Sequence, residues 1–576
     1  MKRSLFHISV ANCTRSKKPR LTVPVKPQTN LWLSATKVYN YINNNALCDW
    51  LDMYYNKTGN INKCNNSNSD TSVPKIKTFK QYTFDRGNQF EQSIYNKLKC
   101  KHGNDMITVS SKYTINSANK TIEYMKNGIP IIYSAPIYSN KLKLFGIADI
   151  LVRNDYFKDI FNDTQYTDNT DIHSVLGDYY YIVIDIKFCT LPLASDGIHL
   201  LNSGNIKSNK SQIFIYTKIL EDIQGCFSCY GYLLGRKWSY SSKGISSNGD
   251  NYTKLGTVDF VNRDKFIEPL TYDAINWYRQ LKIYGSEWDI RNPHHIALYP
   301  NMCVDSGKWN SVKREIASEL KEITMLWNCG YKQREIAFNN GITRWDNNKC
   351  NSRTLGFTKS SKLTNIIDDI IDINKQDKSI INKENIDKDI LNTINLYVDF
   401  ETVTSICHDR QIIFLIGVGW YNDNGEWIYK KFLVNELTDK EEHRIMHEFM
   451  MFSAGKSLCY WYAEKNMWKY AQKSNSEISI HYDLNWFDLC DYFKTYSIVM
   501  KDCFNFGLKH IVNIMNKHNL INIKMNSNCN NGMMAMITAY DCYKRNDING
   551  DIMKDIIVYN NFDCKTMGEI IKYLVK

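Results

Sequence analysis

The sequence predicts an α/β protein made of two α/β units with mixed sheets, joined by a helical region. Three observations support this prediction. Apolar, β-branched segments alternate with amphipathic helix patterns in residues 31–264, and the same alternation resumes in residues 391–576. The intervening residues 265–390 show mostly helical spacing. A chain of 576 residues is also too long for one ordinary core, so two or three domains are expected.

The first unit opens with helix patterns and continues with strands. "LWLSATKVYNYINNNALCDWL" has apolar residues at helical spacing from Leu33 to Leu51, and "FDRGNQFEQSIYNKLKCKHG" predicts another helix. Strands are predicted at "MITVSSKYTI", "IPIIYSAPIY", "KLKLFGIADILVR" and "YYYIVIDIKFCT", with a polar insertion at the hairpin tip between the last two. The helix "KSQIFIYTKILEDI" then leads into the strand "CFSCYGYLLG". This order is typical of a mixed sheet with helices.

The other segments complete the predicted organisation. Residues 1–30 form a basic tail that we expect to be disordered. The second unit begins with the strand "INLYVDFETV", continues through "RQIIFLIGVGWYN" and "EWIYKKFLV", and ends in the helix "VYNNFDCKTMGEIIKYLVK". We find no internal repeat.

Composition limits the classes of function. The net charge of +12 favours a polyanionic partner such as nucleic acid. No apolar run reaches the length of a membrane helix, and the basic N-terminal residues lack the long apolar segment of a secretory signal. The seventeen cysteines are scattered, as is typical of reduced thiols. We therefore expect an intracellular protein, in the nucleus or cytoplasm, that is not secreted and does not bind a membrane.

An acid and a base interrupt the apolar strand "YYYIVIDIKFCT". Side chains alternate between the two faces of a strand, so Asp185 and Lys187 share one face with Tyr181 and Val183. Burying such charges costs free energy unless a partner pairs with them or a reaction uses them. One interpretation is an edge strand with a solvated salt bridge. The other is a functional site.

Further polar residues favour the functional interpretation. Asp149 interrupts the strand before the insertion, and Glu91 lies on the helix containing "RGNQFE". Phosphodiester hydrolysis needs a hard cation that neutralises phosphate charge and acidifies a water molecule. Asp149 and Asp185 would hold that cation, and Glu91 would complete or orient its ligand shell. Lys187 would position water or stabilise the negative transition state.

The succession "RGNQFE", "GIADILV", "VIDIKF" and "QIFIY" resembles the RecB-type branch of the PD-(D/E)XK nuclease superfamily. The resemblance covers roughly residues 31–240. It implies a site formed by a helix glutamate, two strand acids, a lysine and a Gln-x-x-x-Tyr helix, which correspond to Glu91, Asp149, Asp185, Lys187, Gln212 and Tyr216. Arg86 is a further candidate. The gap between the two strand acids is longer than usual, and the cysteine spacing does not supply the iron–sulfur cluster of some members.

A second pair of acids lies in "LYVDFETV". Asp399 and Glu401 are two residues apart on a strand, so both carboxylates face the same way and repel each other unless a cation neutralises them. Such pairs suit phosphoryl chemistry with two metal ions. On the C-terminal helix, Tyr559 and Asp563 share one face because they are four residues apart. Taken alone, the strand acids would be interpreted as an exposed strand end.

This succession resembles the DEDD exonucleases of the RNase H-like fold, in the variety with tyrosine in the last motif. The resemblance covers residues 394–576 and includes the segment "FNFGLKHIV". It implies Tyr559 as the residue that positions water, and a set of metal-binding acids at Asp399, Glu401, Glu464 and Asp563. Aspartate is more usual at the position of Glu464, and Asp488 is an alternative or auxiliary acid.

Together these observations predict a metal-dependent nuclease that hydrolyses phosphodiester bonds in DNA, with processing or repair as its setting. All-oxygen ligands at both sites imply Mg²⁺ or Mn²⁺. Basic residues are dispersed, which suits contact with a nucleic-acid backbone without base readout. DNA is preferred over RNA as the partner. Two alternatives stay open: one site is active while the other domain is a scaffold, or the protein binds nucleic acid without cleaving it.

Overall fold

The computed structural model describes residues 31–55, 79–161, 173–358, 361–376, 380–383, 386–404, 410–474, 484–529 and 531–576. The predicted basic tail, residues 1–30, lies outside the described residues. The described chain forms two mixed sheets with helices packed against them, which confirms the predicted fold class. No helix in these ranges is long and apolar enough to cross a membrane.

The strands of the first sheet come from the first α/β unit. They are β1 (Leu33–Ser34), β2 (Met106–Thr108), β3 (Ile131–Ser139), β4 (Leu144–Arg153), β5 (Tyr181–Pro192), β6 (Tyr230–Ser242), β7 (Ile245–Asp250) and β8 (Gly256–Asp259). The strand order is β2-β3-β4-β5-β6-β7, with β1 beside β4 and β8 beside β6. The central pairs β3–β4 and β4–β5 are antiparallel, whereas β5 and β6 are parallel.

Helices cover both faces of this sheet. They are α1 (Tyr39–Ile42), α2 (Leu47–Tyr54), α3 (Phe79–His102), α4 (Ile115–Lys126), α5 (Phe157–Ile160) and α6 (Ile206–Gln224). Strand β5 shows why both faces are covered, because its apolar residues alternate between two cores. Val183 packs in the core on the α6 side, and Ile182 and Ile184 pack in the core that contains Phe90 of α3.

The leading segment differs from its prediction. Apolar spacing predicts one helix from Leu33 to Leu51, but the chain forms strand β1, a 3₁₀ turn at Ala35–Val38, and then the separate helices α1 and α2. The break falls in the run of asparagines between the two helices. Asn44 has a φ of 56°, a left-handed conformation that asparagine tolerates better than most residues. The apolar side chains are nevertheless buried as a continuous core face.

The second sheet lies in the C-terminal unit. Its strands are β9 (Leu396–Thr404), β10 (Gln411–Tyr421), β11 (Trp427–Leu433), β12 (Ser457–Tyr460) and β13 (Asn485–Asp488), in the order β11-β10-β9-β12-β13. The first two pairings in this order are antiparallel and the last two are parallel. The helices of this unit are α12 (Asp439–Ser453), α13 (Glu464–Ser474), α14 (Leu489–Thr495), α15 (Leu508–Lys517), α16 (Gly532–Lys544) and α17 (Asp551–Val575). Helix α17 packs across β9 and β10.

The helical region between the units contributes to both of them. Its helices are α7 (Ile267–Tyr284), α8 (Asn310–Leu320), α9 (Tyr331–Asn339), α10 (Lys362–Lys375) and α11 (Lys388–Asn392). Residues as far as Ile316 are buried in the core of the first unit, and residues from Ile323 onward are buried with α15 and α17. The helical region is therefore divided between two cores.

Candidate active sites

Two strand acids of the first unit lie side by side at its centre. The β4–β5 ladder pairs Ile150 with Ile184, and the same antiparallel register places Asp149 opposite Asp185. Oδ2 of Asp149 accepts a hydrogen bond from the Ile186 N–H at 2.6 Å. The hydrogen-bonded pairing of β5 with β6 is interrupted directly after Lys187. Irregularities of this kind often change the direction of side chains beside functional sites. The backbone thus groups two acids and a lysine.

This cluster is buried and strongly coupled. Asp185 is 0% exposed, and its Oδ2 lies 2.6 Å from Nζ of Lys187. Burial and the charge of Asp185 raise the pKa of Asp149 well above its usual value. Burial disfavours the charged form of Lys187, but Asp185 and Asp149 outweigh this effect and raise the pKa of the ammonium. The lysine therefore stays positive and partly neutralises the acids.

The other residues of the RecB-type resemblance converge on the same point. Gln212 donates a hydrogen bond from Nε2 to Oη of Tyr216 at 2.9 Å. Burial and the charges of Asp185 and Asp149 raise the pKa of Tyr216. Burial also raises the pKa of Glu91. The charge of Asp185 adds to this increase, and the charge of Lys187 opposes it. The structure thus brings together all six predicted residues of the first site.

A cleft gives access to this cluster. A cavity of about 620 Å³ opens beside Lys187 and Gln212, and neutral polar side chains such as Thr36 and Asn205 line it. Both Lys187 and Gln212 are only partly buried, so their polar ends can meet a ligand in the cleft. The first cluster therefore borders this cleft through Lys187 and Gln212.

Arg86 lies elsewhere. Its guanidinium donates to Oη of Tyr82 at 2.9 Å and is 4.9 Å from the ring centroid of Tyr540, which belongs to α16 of the second unit. Glu91 comes five positions after Arg86, which corresponds to about 140° around a helix, so the two side chains leave α3 on different sides. The candidate Arg86 therefore forms a contact between the units and does not join the acids.

The second acid cluster is built on β9 and α17. Asp399 and Glu401 project from the face of β9 on which α17 lies, and α17 carries Tyr559 and Asp563. The β9–β10 register shifts between Ile413 and Leu415, next to the pairing partner of Glu401. As in the first unit, a ladder irregularity adjoins the acids.

Asn560 fixes one of these acids. Its Nδ2 donates to Oδ2 of Asp399 at 2.7 Å and to the Asp399 carbonyl at 3.1 Å, while its Oδ1 accepts from Oη of Tyr429 at 2.8 Å. Gly417 on β10 makes this possible, because a Cβ at that position would lie 1.6 Å from Oδ1 of Asn560. Asn560 is not among the site residues predicted from the sequence. Two signals could have indicated it: its place beside Tyr559, and a glycine inside a strand, which often marks a close approach.

The four acids of the DEDD resemblance influence one another. Burial raises the pKa of Asp399, and Glu401, Asp563 and Glu464 raise it further. Burial likewise raises the pKa of Asp563 to about 6, even though Lys509 and a hydrogen bond from Tyr559 lower it. Clustered, buried carboxylates of this kind resist ionisation until a cation joins them.

Glu464 is the fourth acid by position, and Asp488 has a different role. Glu464 is the first residue of α13, directly after β12, and burial raises its pKa to about 8. Asp488 ends β13 and caps α14: its Oδ1 accepts from the N–H groups of Asp491 and Tyr462 at 3.0 and 3.2 Å. Asp488 therefore supports the loop before Glu464, and its charge helps to raise the pKa of Glu464.

Lys509 is a second site residue that the sequence did not predict. It extends from α15 to Tyr559, where its Nζ lies 2.5 Å from Oη and 3.9 Å from the ring centroid. Burial lowers the pKa of Lys509, and the nearby charge of Asp563 opposes this effect. The segment "FNFGLKHIV" was noticed in the sequence, but nothing in its spacing ties Lys509 to the acids.

The donor chemistry of both clusters fits a hard divalent cation. All the acids offer oxygen ligands, and one buried carboxylate oxygen in each cluster, Oδ1 of Asp185 and Oδ1 of Asp563, has no hydrogen-bond partner among the described residues. In the same residues, no group of three or more His, Cys, Asp or Glu side chains forms a ready-made metal site. Carboxylate oxygens are the ligands that Mg²⁺ and Mn²⁺ prefer in proteins.

Comparison with known proteins identifies the second unit. No curated protein matches the chain significantly. Residues 396–575 match the family model described as the RNase H superfamily, and the match begins at β9 and ends with α17, so it includes every member of the second acid cluster. This part of the chain is an RNase H-like domain, which indicates a nuclease-type activity on nucleic acids.

Proposed function

We propose that the protein is a divalent-metal-dependent nuclease that hydrolyses phosphodiester bonds in DNA, with an exonuclease-type site around Asp399 and a PD-(D/E)XK site around Asp185. The observation that carries the proposal is the same in both units. In each, carboxylates project from one face of a central strand, a lysine ammonium lies beside them, and an irregularity in the strand pairing adjoins them.

In the second site, Mg²⁺ or Mn²⁺ would be held by Asp399, Glu401, Glu464 and Asp563. The bound ion supplies charge for the phosphate and lowers the pKa of the attacking water. Asn560 holds Asp399 in one orientation. Tyr559 orients the attacking water, because its hydroxyl lies on the same helical face as Asp563.

In the first site, Asp149 and Asp185 would hold the cation, and Glu91 would orient its water shell. Lys187 stabilises the negative charge that develops on the phosphate, since its ammonium is already held beside Asp185. Gln212 lines the cleft and donates a hydrogen bond to Oη of Tyr216 beside the acids. Substrate approaches Lys187 through the adjoining cavity.

The proposed partner is DNA, bound through its backbone. The net charge of +12 supports attraction to phosphates without indicating base recognition. We place the protein inside the cell, in the nucleus or cytoplasm, where it would process or repair DNA.

The test compares the wild type with Asp185→Asn, Asp399→Asn and the double variant. Each protein is incubated with linear and circular DNA, single- and double-stranded, and with RNA, in Mg²⁺ or Mn²⁺. Asp423→Asn, which changes an exposed acid in the β10–β11 hairpin, is the matched control. We expect each single variant to lose a different activity and the double variant to lose all cleavage.

Other outcomes would favour the alternatives. If one single variant abolishes all cleavage, only that site is active and the other unit is a scaffold. If the wild type binds nucleic acid with strong salt dependence but cuts no substrate, the protein is a binding protein and the proposal fails. Preferential cleavage of RNA would overturn the choice of DNA.

A further inference from the structure

The contact between Lys509 and Tyr559 joins two helices at the second acid cluster. Lys509 is in the first turn of α15, and the buried residues Ile511, Val512 and Met515 fix that helix against the core. From there its ammonium reaches Oη of Tyr559 on α17 at 2.5 Å and stacks over the ring at 3.9 Å. Tyr559 itself is buried, so this geometry is held from both sides.

The direction of the hydrogen bonds follows from the chemistry of the groups. An ammonium can only donate, so Oη of Tyr559 is the acceptor from Lys509. The phenolic proton must therefore point elsewhere, and the nearest acid along the same helical face is Asp563, four residues further along α17. One acceptor position remains on Oη.

We propose that Lys509 is a positioning residue of the second site. Its ammonium fixes the rotation of the Tyr559 hydroxyl, so that the proton points to Asp563 and the remaining lone pair accepts a hydrogen bond from the attacking water. The side chains of Lys509, Tyr559 and Asp563 then act together to orient water toward the phosphate. This inference rests on the proposed nuclease function of the same site.

Electrostatics supports a functional role over plain packing. Removing an ammonium from water costs free energy, and the charges of Asp563, Glu401 and Asp399 compensate that cost here. When a cation neutralises those acids, they stabilise the Lys509 ammonium less. The hydrogen bond from Lys509 to Tyr559 is unaffected by that change. A purely structural lysine would contribute to stability alone, through the cation–π contact.

The test uses the Asp185→Asn background, which isolates the second site. Lys509→Met removes both donor and charge, Lys509→Gln keeps an N–H donor without charge, and Lys509→Arg keeps both. Lys517→Met is the matched control, because Lys517 lies on the same helix and pairs with Asp502 at the surface. For each variant, kcat and KM are measured together with Mn²⁺ affinity by titration and the melting temperature.

We expect Lys509→Met to lower kcat by about 10²-fold with KM and Mn²⁺ affinity nearly unchanged, since misplacing a positioning group costs about this much. Lys509→Gln should retain part of kcat, and Lys509→Arg most of it. Combining Lys509→Met with Tyr559→Phe should be no worse than Tyr559→Phe alone, because both changes break the same unit. Lys517→Met should match the background protein.

Several results would overturn the inference. An unchanged kcat in Lys509→Met, or effects of Lys509→Met and Tyr559→Phe that multiply, would show that the two residues act independently. A higher KM at constant kcat would make Lys509 a substrate contact, and a parallel loss of Mn²⁺ affinity would make it structural. If the Asp185→Asn protein shows no Asp399-dependent cleavage, the proposed function of this site fails and the inference fails with it.

Discussion

The glycine opposite Asp399 offers a sharp test of how the second site is assembled. In Gly417→Ala, the new methyl group would lie 1.6 Å from Oδ1 of Asn560, whereas ordinary contacts begin near 3.4 Å. The Asn560 amide must therefore move by about 1.8 Å, and Asn560 is 0% exposed. A shift of this size breaks its 2.7 Å hydrogen bond to Asp399.

The expected effect of Gly417→Ala has two parts. Overpacking destabilises the domain by about 1–3 kcal/mol, and the lost hydrogen bond to a charged group adds about 1.5–3 kcal/mol. Because a misplacement of about 1 Å can cost 10²-fold in rate, Asp399-dependent cleavage should fall by at least about 10²-fold. Initial rates in the Asp185→Asn background and the melting temperature measure both parts.

Gly419→Ala is the matched control for this prediction. Gly419 lies two residues further along the same face of β10, and a Cβ there would lie 2.0 Å from Cζ2 of Trp427. Overpacking against Trp427 should lower the melting temperature without moving Asn560, so most cleavage should persist. The reasoning is refuted if Gly417→Ala keeps more than half of its activity, or if Gly419→Ala loses as much as Gly417→Ala.

Three further predictions concern metal, pH and the contact between the units. Chelation with EDTA should abolish cleavage at both sites and Mg²⁺ should restore it; persistence in EDTA would contradict a metal-dependent mechanism. Without metal, stability should fall as the pH rises from about 5 to 8, because the folded chain keeps a proton on Glu464 (pKa about 8) that the unfolded chain releases near pH 4.5. Glu464→Gln should reduce this fall in melting temperature, and an equal fall would show that Glu464 is not its source. Arg86→Ala should cost about 0.5–2 kcal/mol, and combining it with Tyr540→Ala should cost less than the sum of the two single losses; additive losses by thermal melting would exclude the stacking contact.

Strand periodicity made much of the fold, and one pair of site residues in each unit, predictable. Alternation with period two puts Asp185 with Lys187, and Asp399 with Glu401, on one face whatever the rest of the chain does. Tyr559 and Asp563 are likewise related by helix spacing alone. Such local geometry needs no knowledge of tertiary packing, which is why these pairs could be read from the sequence.

Residues that reach a site across the fold could not be predicted in this way. Lys509 lies 50 residues before Tyr559 and meets it only because α15 and α17 pack on the same core. The contact of Arg86 with Tyr540 depends on how the two units meet. The broken leading helix was hidden for a different reason: the apolar spacing around Asn44 fits one helix, and the left-handed turn there is a local choice that spacing does not reveal.

The most direct test of the central claim measures how much of the metal-activated cleavage depends on Asp399. End-labelled single-stranded DNA is incubated with Mn²⁺ and either Asp185→Asn or Asp185→Asn combined with Asp399→Asn, after both proteins are shown to melt at similar temperatures. We predict that the single variant shortens the strand from an end, and that the double variant leaves it intact. Equal cleavage by both proteins, or cleavage by neither, would contradict the assignment of a nuclease site to the RNase H-like domain.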